Sequence, residues 1–177
     1  MSYDKKLLYN TSTGTVTADK ELQNYNAGLT YQLTDQIFGG GFSLADVVVT
    51  RGNLDLSKVA SSLSDDQAST GAKTNGDFTK TNLQLLRIQR GTEKLSFQFL
   101  GSAQLAQKNL DSSEKFYLGG MQGVRAYPTN EAGGSLGNLV SMEWQRQFLI
   151  QDNRWTASGF IDYGDVTVNR NNRYLGA

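Results

Sequence analysis

The sequence has 177 residues, and its 17 basic and 17 acidic residues give a formal net charge of zero. It contains no cysteine and no histidine, which excludes disulfides, thiol nucleophiles, Ser-His-Asp catalysis and metal sites built on Cys or His. A zero net charge also argues against a nucleic-acid partner, because proteins that bind nucleic acid carry a basic surface.

Seven segments show the period-two alternation of apolar and polar residues that predicts β-strands with one apolar face. In chain order they are 3–9, 24–33, 42–56, 78–89, 95–105, 140–145 and 155–164. The first segment is the weakest. The third and fourth lose their phase at 47–49 and at 85–86, where a β-bulge would absorb the slip.

The connections between these segments alternate in length. Residues 34–36, 91–93 and 151–153 are short turns, 57–76 and 110–135 are long loops, and 11–21 form a loop of medium length. In an up-and-down meander this alternation puts the short turns at one end and the long loops at the other, as in transmembrane β-barrels. The sequence therefore predicts an all-β, antiparallel up-and-down meander, a partial transmembrane β-barrel of six or seven strands. Within 57–68 we expect one or two helical turns.

The two faces of the predicted strands differ in character. The apolar face includes five large aromatic residues, Tyr25, Tyr31, Trp144, Trp155 and Tyr163. Trp155 and Tyr163 are separated by about 26 Å of extended strand, close to the apolar band of about 25 Å in outer-membrane barrels. This face is expected to contact membrane lipid, whereas Glu143 and Asp162 lie on the polar face.

The loop before residue 140 contains a glycine pair and a Val-Arg-Ala-Tyr-Pro element, namely Gly119, Gly120, Val124, Arg125, Ala126, Tyr127 and Pro128. Residues 160–164 follow an F-x-D-x-G pattern that includes Asp162 and Gly164. Together these elements resemble the two-partner secretion transporters, the TpsB family of haemolysin activation/secretion proteins. The resemblance extends over roughly residues 25–168.

The resemblance implies an integral protein of the bacterial outer membrane that exports a large exoprotein, a haemolysin or an adhesin, through its barrel. In this family the long loop folds inward, which implies that Arg125 pairs with Asp162 beside Gly164. Glu143, on the polar face of the preceding strand, is a second candidate partner. Family members also carry N-terminal periplasmic domains and about sixteen strands. Residues 1–177 are therefore expected to be a fragment of the barrel domain, without those domains and without the last strands.

Two other functions remain open at this stage. One is an outer-membrane protein assembly factor of the same superfamily, and the other is a soluble β-sheet binding module. Glu114 and Glu131 flank the loop motif as a candidate carboxylate pair, but their spacing in a loop gives no catalytic geometry. The sequence thus predicts no enzyme, no catalytic residue, no cofactor and no metal site.

Overall fold

The computed structural model describes residues 1–12, 15–120 and 123–171. Its strands and its α-helix are β1 (Ser2–Ser12), β2 (Thr15–Asp35), β3 (Gly41–Asp55), α1 (Ala60–Gln67), β4 (Gly76–Thr92), β5 (Leu95–Ala106), β6 (Phe116–Tyr117), β7 (Gly133–Gly134), β8 (Leu136–Ile150) and β9 (Asn153–Thr167). Short 3-10 turns lie at Ile37–Gly39 and Ser112–Glu114. In this part of the chain no helix has the length and apolarity needed to cross a bilayer.

The seven long strands form one antiparallel sheet in the order β1-β2-β3-β4-β5-β8-β9 over the described residues. Each strand pairs with the strand that precedes it in this meander. The sheet is a half-barrel, so the predicted all-β partial barrel is confirmed. The helical turns expected within 57–68 are also present, as α1.

The sheet has two chemically different faces. We call the outer face the one that exposes the aromatic residues Tyr25, Tyr31, Trp144, Trp155 and Tyr163. Tyr31 and Tyr163 lie in the same cross-strand row, because β2, β3, β4, β5, β8 and β9 are paired in sequence from one residue to the other. The opposite, inner face carries Lys80, Gln104 and Asp162, and the connection between β5 and β8 folds over it.

The prediction of a loop at 11–21 is wrong, because β1 extends to Ser12 and β2 already begins at Thr15. Ser12 pairs with Thr15, and the hairpin continues to Ser2 and Asn26. From Ala18 to Gln23 the alternation has the opposite phase to that of residues 24–33, because Leu22 is apolar on the inner face and Glu21 is polar on the outer face. Glu21 forms a 2.6 Å salt bridge with Lys5 of β1.

The bulges expected at 47–49 and 85–86 are also wrong. β3 and β4 pair in continuous register from Gly41 and Gln89 to Leu54 and Gly76. The register shifts lie elsewhere, at Asn10/Thr11 and at Arg90/Thr92. The alternation breaks because Val48 and Leu86 are apolar residues on the inner face, and no residue is inserted.

A small apolar core lies on the inner face near the long connections. Its buried members are Leu22, Leu54, Leu56, Phe78, Ala106 and Leu110, and Leu63 of α1 packs against them. Leu110 comes from the connection between β5 and β8, while the others lie on or beside the strands. Burial of these side chains therefore fastens the start of that connection to the sheet.

Candidate functional site

The connection between β5 and β8 forms a folded hairpin on the inner face. We call residues 107–135 the motif loop; Met121 and Gln122 within it lie outside the described residues. β6 pairs with β7, and the hairpin continues through a 3.3 Å hydrogen bond from the Leu118 N–H to the Ala132 carbonyl. The long loop expected from the sequence at 110–135 is thus a hairpin over the described residues.

The two motif glycines allow the hairpin to close tightly. A Cβ at Gly119 would lie 1.7 Å from the carbonyl oxygen of Pro128, so no side chain fits there. Gly120 has φ +123°, a conformation that residues with a side chain rarely adopt. Gly119, Gly120 and Pro128 therefore set the shape of the hairpin.

Val124 to Tyr127 form a turn that presents Arg125. The Tyr127 N–H donates to the Val124 carbonyl at 3.0 Å, and the Val124 N–H donates to the Leu118 carbonyl at 2.8 Å. Arg125 and Ala126 are the central residues of this turn. Arg125 is the charged residue of this turn, and its side chain reaches two acidic groups of the sheet.

Arg125 contacts two acidic side chains of the inner face. Its Nη2 lies 2.7 Å from Glu143 Oε2, and its Nε lies 3.7 Å from Asp162 Oδ2. Its backbone N–H also donates to Asp162 Oδ2 at 3.1 Å. The guanidinium carbon lies 3.9 Å from the centre of the Phe160 ring. Glu143 is thus the nearer ionic partner of the side chain, while Asp162 mainly holds the backbone of the turn.

The turn packs on Asp162 and Gly164 of β9, which we call its seat. The Ser141 hydroxyl donates to Asp162 Oδ1 at 2.6 Å, and the Asp162 side chain is only 5% exposed. A Cβ at Gly164 would lie 2.6 Å from Leu118 Cδ2 and 3.3 Å from Val124 Cγ2. The absent side chain at Gly164 leaves the space into which the motif loop packs.

A second group of charges holds the start of the motif loop, and sequence reasoning missed it. The Glu114 side chain is 4% exposed and lies 3.1 Å from Lys6 Nζ and 2.8 Å from Lys80 Nζ. Asn24 donates to the same carboxylate at 3.1 Å. Glu131, the other member of the candidate carboxylate pair, is exposed. The available signal was the set of lysines at inner-face positions of β1, β2 and β4.

Gln104 joins the two ends of the motif loop. Its amide donates to the Glu114 carbonyl at 3.1 Å and to the Ser135 carbonyl at 3.2 Å. The hydroxyl of Ser135 in turn accepts from the Leu110 N–H at 3.0 Å. Among the described residues no group of three or more acidic side chains is arranged to hold a metal ion.

The carboxyls at the loop start are more acidic than usual. Burial raises the pKa of Glu114, but the hydrogen bonds and charges of Lys80 and Lys6 outweigh it and hold that pKa below its ordinary value. Burial likewise opposes ionisation of Asp111, and Lys20 with the Ser113 N–H brings the pKa of Asp111 below its ordinary value. Both groups therefore favour the seated loop in their ionised form.

Acidification is expected to loosen the start of the motif loop. A carboxyl with a lowered pKa contributes stability that is complete above its unfolded value, about 4, and is lost as the pH falls through its folded value. Ala106 is 2% exposed and belongs to the same buried cluster as Leu110 of the motif loop, so a cysteine introduced there reports on loop lifting through its reaction with an aromatic disulfide. We expect the labelling rate, relative to that of an exposed control cysteine, to be constant near neutral pH and to rise below about pH 4.

A cysteine at the exposed Ser61 of α1 corrects for the intrinsic pH dependence of the reagent. In Glu114→Gln the rise should be smaller, because one of the two titrating groups is gone. A corrected rate that stays flat from neutral pH to pH 2 would contradict the prediction.

Comparison with known proteins points to one family. The family model described as haemolysin secretion/activation protein ShlB/FhaC/HecB matches residues 11–176. The heme/hemopexin transporter protein HuxB of Haemophilus influenzae Rd is 30% identical over 99 residues, which is 55% of this chain and 18% of that protein. HuxB of strain 86-028NP gives the same identity and coverage. The matched stretch thus covers just under a fifth of the curated relatives' length, and no solved structure matches significantly.

Proposed function

The chain belongs to the ShlB/FhaC/HecB family of haemolysin secretion/activation proteins, and on that basis we propose that it is part of the barrel domain of an exporter. The whole protein would move a large exoprotein, a haemolysin or an adhesin, across the bacterial outer membrane in two-partner secretion. Members of this family are TpsB transporters rather than enzymes. The curated relatives are longer than this chain, and residues 1–177 fall within the barrel domain in this proposal.

The outer face supports a position in the membrane. It exposes large aromatic and aliphatic side chains, among them Leu29, Trp155 and Tyr163, which would be unfavourable in water over so wide a surface. Strands β1 to β5, β8 and β9 are 11 to 21 residues long, and about 9–11 residues suffice to cross a bilayer. Lipid is therefore the proposed partner of this face.

The observation that carries the proposal is the motif loop held on the inner face. Arg125 lies between Glu143 and Asp162 in the seated position. An ion pair of this kind, partly open to water, can be exchanged for solvent at modest cost. We therefore assign the motif loop the role of an element inside the barrel that holds the conducting state. Transport in this proposal requires no nucleotide hydrolysis.

Secretion of a partner exoprotein tests this function directly. The whole protein is expressed in a bacterial host together with the exoprotein gene that neighbours its own, and the exoprotein is quantified in the medium and in the periplasm. We expect exoprotein in the medium only when both genes are present. An assembly factor would behave differently, since its depletion would lower unrelated outer-membrane proteins and leave this exoprotein unaffected. That second result would overturn the proposal.

A further inference from the structure

The motif loop is attached to the sheet at two separate places. Arg125 attaches its tip to β8 and β9, at one end of the strand order. Glu114 attaches its start to β1, β2 and β4, towards the other end. We propose that Glu114 is a second anchor. The loop is then attached to the inner face at its start and at its tip, and it lifts fully only when both attachments release.

Glu114 is held through three oxygen atoms. Its Oε1 accepts from Lys6 Nζ and from Asn24 Nδ2, each at 3.1 Å. Its Oε2 lies 2.8 Å from Lys80 Nζ, and the same ammonium donates to the Glu114 carbonyl oxygen at 3.0 Å. Hydrogen bonds to charged groups are stronger than neutral ones, so this single residue supplies a firm attachment.

The sheet is shaped to let Asn24 reach Glu114. A Cβ at Gly52 would lie 2.3 Å from Asn24 Oδ1 and 2.3 Å from Phe78 Cζ. Asn24 is 4% exposed, and its Oδ1 is the buried side-chain atom without a hydrogen-bond partner among the described residues. Burying an amide that is only partly satisfied is unfavourable. In this buried position the Asn24 Nδ2 donates its hydrogen bond to Glu114.

Neighbouring residues make the loop start a single unit. Asp111 lies 2.6 Å from Lys20 Nζ, Leu110 is buried in the apolar core, and Gln104 donates to the Glu114 carbonyl at 3.1 Å. When Glu114 loses its lysines, this unit loses its central charge contact, so the loop start separates from the sheet more often and the buried Ala106 is exposed more often. The claim that the seated loop holds the conducting state rests on the proposed function, but the anchor itself does not.

Thiol reactivity tests the anchor in the whole protein. The chain has no cysteine, so Ala106→Cys introduces a single reporter thiol into it, in the buried cluster that includes Leu110. We expect Glu114→Gln to speed labelling of this thiol at neutral pH about tenfold. Glu131→Gln is the matched control, because Glu131 is an exposed carboxylate of the same loop, and it should label at the parent rate.

A double variant separates a specific pair from general damage. Lys80→Gln should also speed labelling, and Glu114→Gln with Lys80→Gln should fall short of the product of the two factors, because both single variants remove the same contact between the carboxylate and the ammonium. Multiplying factors, or a Glu114→Gln rate equal to that of the parent or of Glu131→Gln, would overturn the anchor. Labelling is measured without exoprotein, so its outcome is independent of whether the secretion assay upholds the proposed function.

Discussion

Arg125→Ala in the whole protein is expected to lower exoprotein secretion about fivefold or more, with the amount of inserted barrel unchanged. The substitution leaves Glu143 and the 5% exposed Asp162 without the cation that faces them. Because the Arg125 side chain is itself 39% exposed, we assign the loss about 1–3 kcal/mol rather than the value for a fully buried pair. That range shifts the seated-to-released equilibrium about 5- to 150-fold.

Arg125→Lys should give an intermediate loss. A lysine keeps the positive charge, but its single ammonium cannot contact Glu143 and approach Asp162 as the guanidinium fork does. It also lacks the planar group that lies 3.9 Å from the Phe160 ring centre. Secretion by this variant should therefore fall between that of the parent and that of Arg125→Ala.

Arg154→Ala is the matched control for both variants. Arg154 is an exposed arginine at the short-turn end of β9, the strand that also carries Asp162. Its removal changes the net charge by the same amount but does not touch the seat of the motif loop. Normal secretion by Arg125→Ala, or an equal loss in Arg154→Ala, would remove Arg125 from the proposed role.

The strands were predictable wherever the outer face is apolar and the inner face is polar. The segment from Trp155 to Tyr163 alternates because one face exposes aromatic residues and the other carries Asp162. The start of β2 was missed because the two faces exchange character there, with Leu22 apolar on the inner face and Glu21 polar on the outer face. The expected bulges failed for a related reason, since Leu86 is also apolar on the inner face. Period alone records the contrast between faces, not strand pairing.

The candidate site was predictable only through its motif residues. The resemblance singled out Arg125, Asp162 and Gly164, but it did not show that Glu143 would be the nearer partner of the guanidinium. It also gave no indication of Glu114. Glu114 contacts Lys6 and Lys80, which are 108 and 34 residues away in sequence. Such contacts depend on the order and register of the strands in the sheet, and no local spacing predicts them.

Gly119→Ala should be as damaging as the loss of Arg125, although it removes no contact of its own. A Cβ there would lie 1.7 Å from Pro128 O and 2.8 Å from Pro128 C, and both are backbone atoms that cannot rotate away. The two halves of the hairpin must separate, which breaks the 3.4 Å bond from the Gly119 N–H to the Glu131 carbonyl. Overpacking of this kind costs about 1–3 kcal/mol.

Limited trypsin digestion of the whole protein measures this opening, because Lys115 and Arg125 are cleavage sites within the motif loop. We expect rapid cleavage at these sites in Gly119→Ala and slow cleavage in the parent. Gly101→Ala is the control, since a Cβ at Gly101 would lie 3.5 Å from the Phe99 ring, an ordinary contact. If Gly119→Ala resists trypsin as well as Gly101→Ala does, the hairpin tolerates the side chain. The close approach to Pro128 would then not determine the shape of the loop.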